Sequence, residues 1–265
     1  MAANAIKALI EEGVRLLSEQ SEQPRLEAEI LLSHVTGKSR THFRAFAEAE
    51  VSAAEALRFQ GLIEQRQSGQ PMAYLTGTRE FWSLDFEVNA DVLIPRPETE
   101  LLVEIALEWV RLLPQPRLLD LGTGSGVIPI SIAKERRDAN LTAVDVSPKA
   151  LALAQKNAHR LGAPGIRFLL GDWLEALPGE EQFDLIVSNP PYISDQDGHL
   201  ACGDLRYEPR SALASGPEGL DAIRTIVREA RTFIRADGGL ALEHGFEQAP
   251  AIQAILADHG FHSIE

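Results

Sequence analysis

From Pro116 onward, short apolar runs alternate with helical patterns, and that alternation restricts the fold more than any other feature of the chain. The predicted strands are 117–121, 140–146, 166–170, 183–188 and 238–243. Helical spacing predicts helices at 126–136, 148–161, 218–235 and 247–259, with another over 101–113. Strands separated by helices of this length imply an α/β fold with a mostly parallel sheet covered on both faces. In such open sheets, ligands bind outside the carboxyl ends of the strands.

Three strand ends carry residues suited to one nucleoside-like cofactor. Leu118-Leu119-Asp120-Leu121 runs into Gly122-Thr123-Gly124-Ser125-Gly126, a glycine-rich turn before a helix. Glycines let a backbone approach a ligand and reach positive φ, and the helix start offers unpaired N–H groups. About twenty residues on, the second strand ends at Asp145, placed to accept hydrogen bonds from ribose hydroxyls. The third is followed by Asp172 and Trp173, suited to an adenine amino group and ring face. A dinucleotide loop reads G-x-G-x-x-G. The G-x-G-x-G spacing here, after an acidic residue, resembles the S-adenosylmethionine loop of class I methyltransferases. An acidic strand end also suits the ammonium of an amino-acid moiety. The plainer alternatives are a tight turn without a ligand, a surface carboxylate and an ordinary core tryptophan.

The fourth strand ends in Asn189-Pro190-Pro191-Tyr192. Two prolines lack backbone donors and fix φ near −65°, so the strand stops in a stiff turn. An Asn side-chain oxygen and a Pro carbonyl are both acceptors. The turn therefore suits a planar group bearing an NH2. Residues 193–217 form a long irregular stretch after it, expected to face the substrate.

Residues 1–70 read as helices, with Pro24 at a first turn, Gly37 as a C-cap and Ser52 with Glu55 as a capping box. Residues 81–88 are aromatic and β-branched, and predict a hairpin. Phe261 to Glu265 read as the start of one more strand. The expected organisation is a helical recognition domain over 1–72, a linking hairpin over 73–95 and a catalytic domain over 96–265. Pro97 and Glu98 suit a helix start; with Arg96 they are equally candidates for cofactor contact.

Composition narrows the partners. The formal net charge is −14, with −4 over residues 1–90 and −10 over the remainder. No basic tract of the kind that binds nucleic acid is visible. No apolar run of about 18 residues predicts a membrane span. The first residues do not read as a signal peptide, so the expected location is cytoplasmic. The single cysteine, Cys202, allows no internal disulfide and no Cys-rich metal site. No metal is expected, and none of the seven histidines is assigned to catalysis.

The Asn-Pro-Pro-Tyr turn beside this loop resembles the motif of methyltransferases that modify planar NH2 groups. Further segments narrow the resemblance to the PrmC/HemK family, the N5-glutamine methyltransferases of peptide chain release factors. They are Ala28 to Leu32, Leu75-Thr76-Gly77, Arg79-Glu80-Phe81-Trp82, Leu93 to Glu100 and Leu242-Glu243-His244-Gly245. The resemblance spans nearly the whole chain. It implies a class I methyltransferase (Rossmann-like) fold. It also implies an S-adenosylmethionine loop at Gly122, Thr123, Gly124, Ser125 and Gly126, with ribose at Asp145 and adenine beside Trp173. Asn189 would touch both cofactor and substrate. Asn189, Pro190, Pro191 and Tyr192 would hold the glutamine of the Gly-Gly-Gln motif of a class 1 release factor, with Asn189, Pro190 and Tyr192 in the catalytic roles. The helical domain would contact the factor. Two alternatives remain. One is a nucleic-acid amino-methyltransferase acting on adenine N6 or guanine N2, which would need a flipped or single-stranded base. The other is a non-enzymatic module that keeps the cofactor fold.

Overall fold

The computed structural model describes residues 4–179 and 181–265. Two compact units divide the chain, Met1–Gly77 and Thr78–Glu265.

The first unit is helical. Its elements are α1 (Ile6–Leu17), α2 (Pro24–Thr36), α3 (Arg40–Ala45), α4 (Ala53–Gln67) and α5 (Met72–Thr76). The local signals act as the sequence implies. Pro24 opens α2, and Gly37 closes it at φ 68°. Ser52 and Glu55 form a reciprocal capping box at the start of α4. The apolar faces of α1, α2 and α4 meet in one core that includes Ile6, Leu31, Leu32, Phe59 and Ile63.

The second unit begins with a hairpin, β1 (Thr78–Phe81) and β2 (Leu84–Glu87), followed by α6 (Glu100–Trp109). The expected hairpin over 73–95 is therefore too long: residues 72–76 are helical, and the strands end at Glu87. Trp82 and Ser83 form the turn, both at positive φ. Neither is a usual residue for that geometry. The turn is held by carboxylates: Ser83 N–H donates to Glu80 at 2.7 Å and Trp82 N–H to Glu100 at 2.8 Å. Phe81 and Phe86 meet edge to face and are buried in the core of this unit. The hairpin is thus part of the second unit's core.

The remaining elements alternate as predicted: β3 (Arg117–Leu121), α7 (Val127–Glu135), β4 (Asn140–Asp145), α8 (Pro148–Arg160), β5 (Arg167–Leu170), β6 (Phe183–Ser188), α9 (Asp221–Phe233), β7 (Ile234–Leu242) and α10 (Ala249–Asp258). The five strands β3 to β7 form a parallel sheet in the order β5-β4-β3-β6-β7. Successive strand residues face opposite sides. Leu118, Leu185 and Val187 accordingly enter one core, while Leu119, Leu121 and Ile186 enter the other. The order reverses direction at β3, which makes the crevice at its carboxyl end the expected ligand site.

Two expectations are corrected. Strand β7 begins at Ile234 rather than 238: Ile234 pairs with Phe183 and Gly239 with Leu185, and Asp237 and Gly238 lie in the irregularity between those two pairs. A Cβ on Gly239 would lie 2.6 Å from the Trp109 ring, which would have to move aside. Residues 261–265 form no strand.

Asn157 of α8 joins the hairpin to the glycine loop. It is fully buried. Its Oδ1 accepts from Glu87 N–H at 2.9 Å, and its Nδ2 donates to the carbonyls of Glu87 and Ser125, each at 3.0 Å. Asn157→Ala would strand those three backbone groups. Unfolding in urea is expected to show a loss of about 2–4 kcal/mol from two or more buried groups left unpaired.

Candidate active site

The loop after β3 is built by its backbone. Gly122 and Thr123 N–H both donate to Val144 O, at 2.9 and 3.0 Å, which ties the loop to the end of β4. Gly122, Gly124 and Gly126 all have positive φ. They serve different ends. A Cβ on Gly126 would meet Ile130 at 2.9 Å and Ala154 at 3.2 Å, so this glycine lets α7 pack. A Cβ on Gly124 would meet nothing within 4 Å, so this glycine leaves a space open.

That space belongs to a cavity of about 240 Å³ at the carboxyl ends of the strands. Gly122, Thr123, Gly124 and Ser125 line it, with Asp145, Asp172, Trp173, Asn189 and Pro191. Of the residues singled out in the sequence, these therefore share one cleft. Gly126, Pro190 and Tyr192 are not among its lining residues. Arg96 does line it, whereas Pro97 and Glu98 do not. Those two form part of the 3₁₀ turn Pro97–Thr99 that leads into α6.

Asp145 is half-buried, and each oxygen accepts one backbone hydrogen bond: Oδ2 from Gly124 N–H and Oδ1 from Ser147 N–H, both at 2.8 Å. Burial raises its pKa, opposed by the N–H groups of Ser147, Gly124 and Val146. Each oxygen retains lone pairs for further donors. Trp173 sits at φ 43°, a rare backbone state for an aromatic residue. Its ring lies 3.4 Å from where a Gly122 Cβ would be.

Asp120 is 2% exposed, and neither oxygen has a hydrogen-bond partner of ordinary geometry. The buried Thr123 hydroxyl faces this carboxyl, though not in ordinary hydrogen-bond geometry. Burial pushes the Asp120 carboxyl up to about 7; Thr123 opposes the rise, and the charge of Asp145 adds to it. A buried carboxyl without a partner is costly. Asp120 is not among the residues that line the cavity.

Asn189 is anchored by residues the sequence reading did not place in the site. Its Nδ2 donates to Thr99 Oγ1 at 3.0 Å. Thr99 in turn donates to Glu243 Oε2 at 2.7 Å, and the Tyr192 hydroxyl to Glu243 Oε1 at 3.2 Å. Burial pushes the Tyr192 phenol up to about 12, and the Glu243 charge pushes the same way. Burial also raises the pKa of Glu243, opposed by the hydrogen bonds of Thr99, Tyr192 and Asn189. The Tyr192 ring packs on the core of Leu220, Ile223, Val227 and Ile252.

Glu208 is a third residue that the sequence did not point to. Its side chain is fully buried, accepts from Ile94 N–H at 2.9 Å and pairs with Arg96 at 2.5 Å. The irregular stretch 193–217 is therefore ordered. It is tied to the cavity rim, where Pro209, Ser211 and Ala212 line the cleft. Thr99 and Arg96 lie in the segment 93–100, and Glu243 in 242–245. Both segments carried the family resemblance and were the available signal. Cys202 is exposed and free. Among the described residues there is no cluster that could hold a metal ion and no helix long and apolar enough to cross a membrane.

Known proteins resemble the chain over most of its length. A model of the PrmC N-terminal domain matches residues 8–77, and a model of the methyltransferase small domain matches 98–218. The chain is 47% identical over 246 residues to the release factor glutamine methyltransferase of Escherichia coli, covering 92% of this chain and 88% of the relative. It is 49% identical over 245 residues to the protein of the same name from Burkholderia pseudomallei, covering 91% and 86%. Solved structures share the fold at low identity. The hMettl16 catalytic domain aligns with a TM-score of 0.57 at 15% identity, covering 87% of this chain and 83% of that one. A methyltransferase from Pyrococcus furiosus aligns at 0.51 and 18%, covering 76% and 86%. Matched by relatives of one name along nine-tenths of its length and carrying the class I methyltransferase fold, the chain belongs to the release factor glutamine methyltransferase family.

Proposed function

We propose that this chain transfers a methyl group from S-adenosylmethionine to the side-chain amide nitrogen (N5) of the glutamine in the Gly-Gly-Gln motif of class 1 peptide chain release factors. The observation that carries the reading is the meeting of the glycine loop, Asp145 and Asn189 on one cavity. The names of the relatives supply the substrate class. The helical unit serves to recognise the factor, and the unit from Thr78 onward performs the chemistry.

The residues present suit the cofactor. Gly124 leaves open space where a side chain would stand. Asp145 has free lone pairs for two ribose hydroxyls, and Trp173 offers an aromatic ring for the adenine. The uncompensated Asp120 carboxyl favours a ligand that brings an ammonium to the loop. When bound, the cofactor supplies an electrophilic methyl group on a positively charged sulfur.

The chain's own residues have to orient a weak nucleophile. A carboxamide nitrogen shares its lone pair with the carbonyl, so alignment carries much of the work. Positioning of this kind supplies roughly 7–11 kcal/mol in favourable cases. Asn189 Oδ1 and the Pro190 carbonyl accept the two amide N–H groups. They point the nitrogen at the methyl group and stabilise positive charge as it develops. Pro191 and Tyr192 border the glutamine side chain. No strong base is needed, because the nitrogen becomes acidic once it is methylated.

Mass spectrometry of a release factor incubated with the protein and S-adenosylmethionine is expected to show one added methyl on the Gly-Gly-Gln glutamine. Asn189→Ala should lower kcat by about 10²–10³, the usual loss for one preorganised electrostatic partner. Cofactor affinity by calorimetry should stay within about twofold, since the ribose and loop contacts remain. A normal rate in this variant overturns the mechanism.

Asp120 makes cofactor binding depend on pH. In the folded protein it keeps its proton up to about pH 7, whereas in the unfolded chain it ionises near pH ~3.9. Between those values the folded state holds the extra proton, so this group's contribution to stability falls as pH rises and is level above the window. A cationic ligand favours the ionised carboxylate. Cofactor affinity should therefore increase up to about pH 7 and then flatten, and Asp120→Asn should remove that increase. Titration calorimetry across the window checks both arms. Identical profiles for the two proteins would take Asp120 out of the cofactor site.

A further inference from the structure

We propose that Glu243, acting through Thr99, is the positioning residue that makes Asn189 present its oxygen, and not its NH2, to the substrate. The proposal rests on the reading that Asn189 accepts from the glutamine amide.

An ionised carboxylate only accepts, and a threonine hydroxyl has one proton to give. Thr99 gives that proton to Glu243 Oε2 at 2.7 Å. What Thr99 offers Asn189 is therefore a lone pair. The group of Asn189 that meets it at 3.0 Å has to be the NH2. Asn189 also donates toward Glu243 itself. Tyr192 adds a third donor to the same carboxylate at 3.2 Å. With both sources of acceptance on one side, Oδ1 is left for the other.

An isolated Asn amide can turn over, exchanging acceptor for donor. Here the turned amide would set a carbonyl against Glu243, and it would give Thr99 an acceptor in place of a donor. The carboxylate thus selects the face. A substrate that brings an NH2 needs that choice, because two NH2 groups in opposition would repel.

The sheet puts Glu243 in place. Ser188 pairs with Leu242 in the parallel register of β6 and β7. Glu243 N–H then continues the ladder to Ser188 O at 3.0 Å. The residue after each strand lies beside its neighbour, so Asn189 and Glu243 emerge together. Thr99, 2% exposed, closes the relay from the turn before α6.

The test compares the wild type with Glu243→Gln, Asn189→Asp and the double variant, on a full-length release factor with S-adenosylmethionine. A glutamine at position 243 brings an NH2 against Asn189 and unsettles its orientation. Glu243→Gln is expected to lower kcat about tenfold or more, with factor KM and cofactor affinity within about twofold. Asn189→Asp sets a second carboxylate against Glu243 and should also be slow. In the double variant, the new amide at position 243 donates to the new carboxylate at position 189 and replaces the original bond. The other oxygen of that carboxylate again accepts from substrate. Recovery of about tenfold over Asn189→Asp is expected, as a coupling that a merely structural role would not produce. Additive losses in the double variant, or wild-type kcat in Glu243→Gln, overturn the proposal. If Glu243→Gln does not fold, Thr99→Val carries the test: it should lower kcat similarly, and Thr99→Ser should restore it. Should the wild type methylate no release factor, the functional reading falls separately. The relay is then judged by NMR exchange of the Asn189 side-chain NH2 protons. Slow exchange in the wild type, lost in Glu243→Gln, supports it; fast exchange in the wild type overturns it.

Discussion

The parallel register of the central sheet is the constraint on which the site depends. Leu121 pairs with Val144 on one side and with Ser188 on the other, and Ser188 pairs with Leu242. Each of these residues is at or next to the end of its strand. Gly122, Asp145, Asn189 and Glu243 therefore leave the sheet in one row. Backbone hydrogen bonds hold that row, and apolar cores on both faces hold the sheet. A slip of one residue in any pair would turn the side chains over to the opposite face. The cavity, the cofactor loop and the acceptor turn would then no longer share one edge.

The strand ends and β3 bury three carboxyls away from water. Burial raises the pKa of Asp120, Asp145 and Glu243. The three carboxyls meet the cost differently. Asp145 and Glu243 are supported by donors on both oxygens, while Asp120 has none of ordinary geometry. The two satisfied carboxylates orient other groups: the loop in one case, Asn189 in the other. Asp120 meets only the like charge of Asp145 and the weak support of Thr123. The overall charge of −14 points away from a nucleic-acid substrate.

Much of this was legible in the chain. The alternation after Pro116 is a local pattern, and each strand and helix appears within a few residues of its expected place. The glycines after β3 take the positive φ that their spacing implies, and Asn189 follows β6 directly. The failures have physical reasons. The Trp82-Ser83 turn lacks the glycine or asparagine that positive φ favours, and the carboxylates of Glu80 and distant Glu100 hold its amides instead. The strand predicted from 238 starts at Ile234, because pairing of Ile234 with Phe183 extends β7 past an irregularity that no local pattern marks. The stretch 193–217 lacks periodicity, but buried Glu208 pins it to residues 94 and 96.

By itself, then, the sequence determined the order of elements, the two loops that meet on the cavity and the family to which the chain belongs. These depend on residues close together in the chain, where pattern and backbone preference act directly. Tertiary structure alone decided how Asn189 is oriented and what stands behind it. Thr99 is 90 positions away and Tyr192 is 51 from Glu243. Only strand pairing brings them within hydrogen-bond reach, and no local preference encodes which lone pair faces which proton.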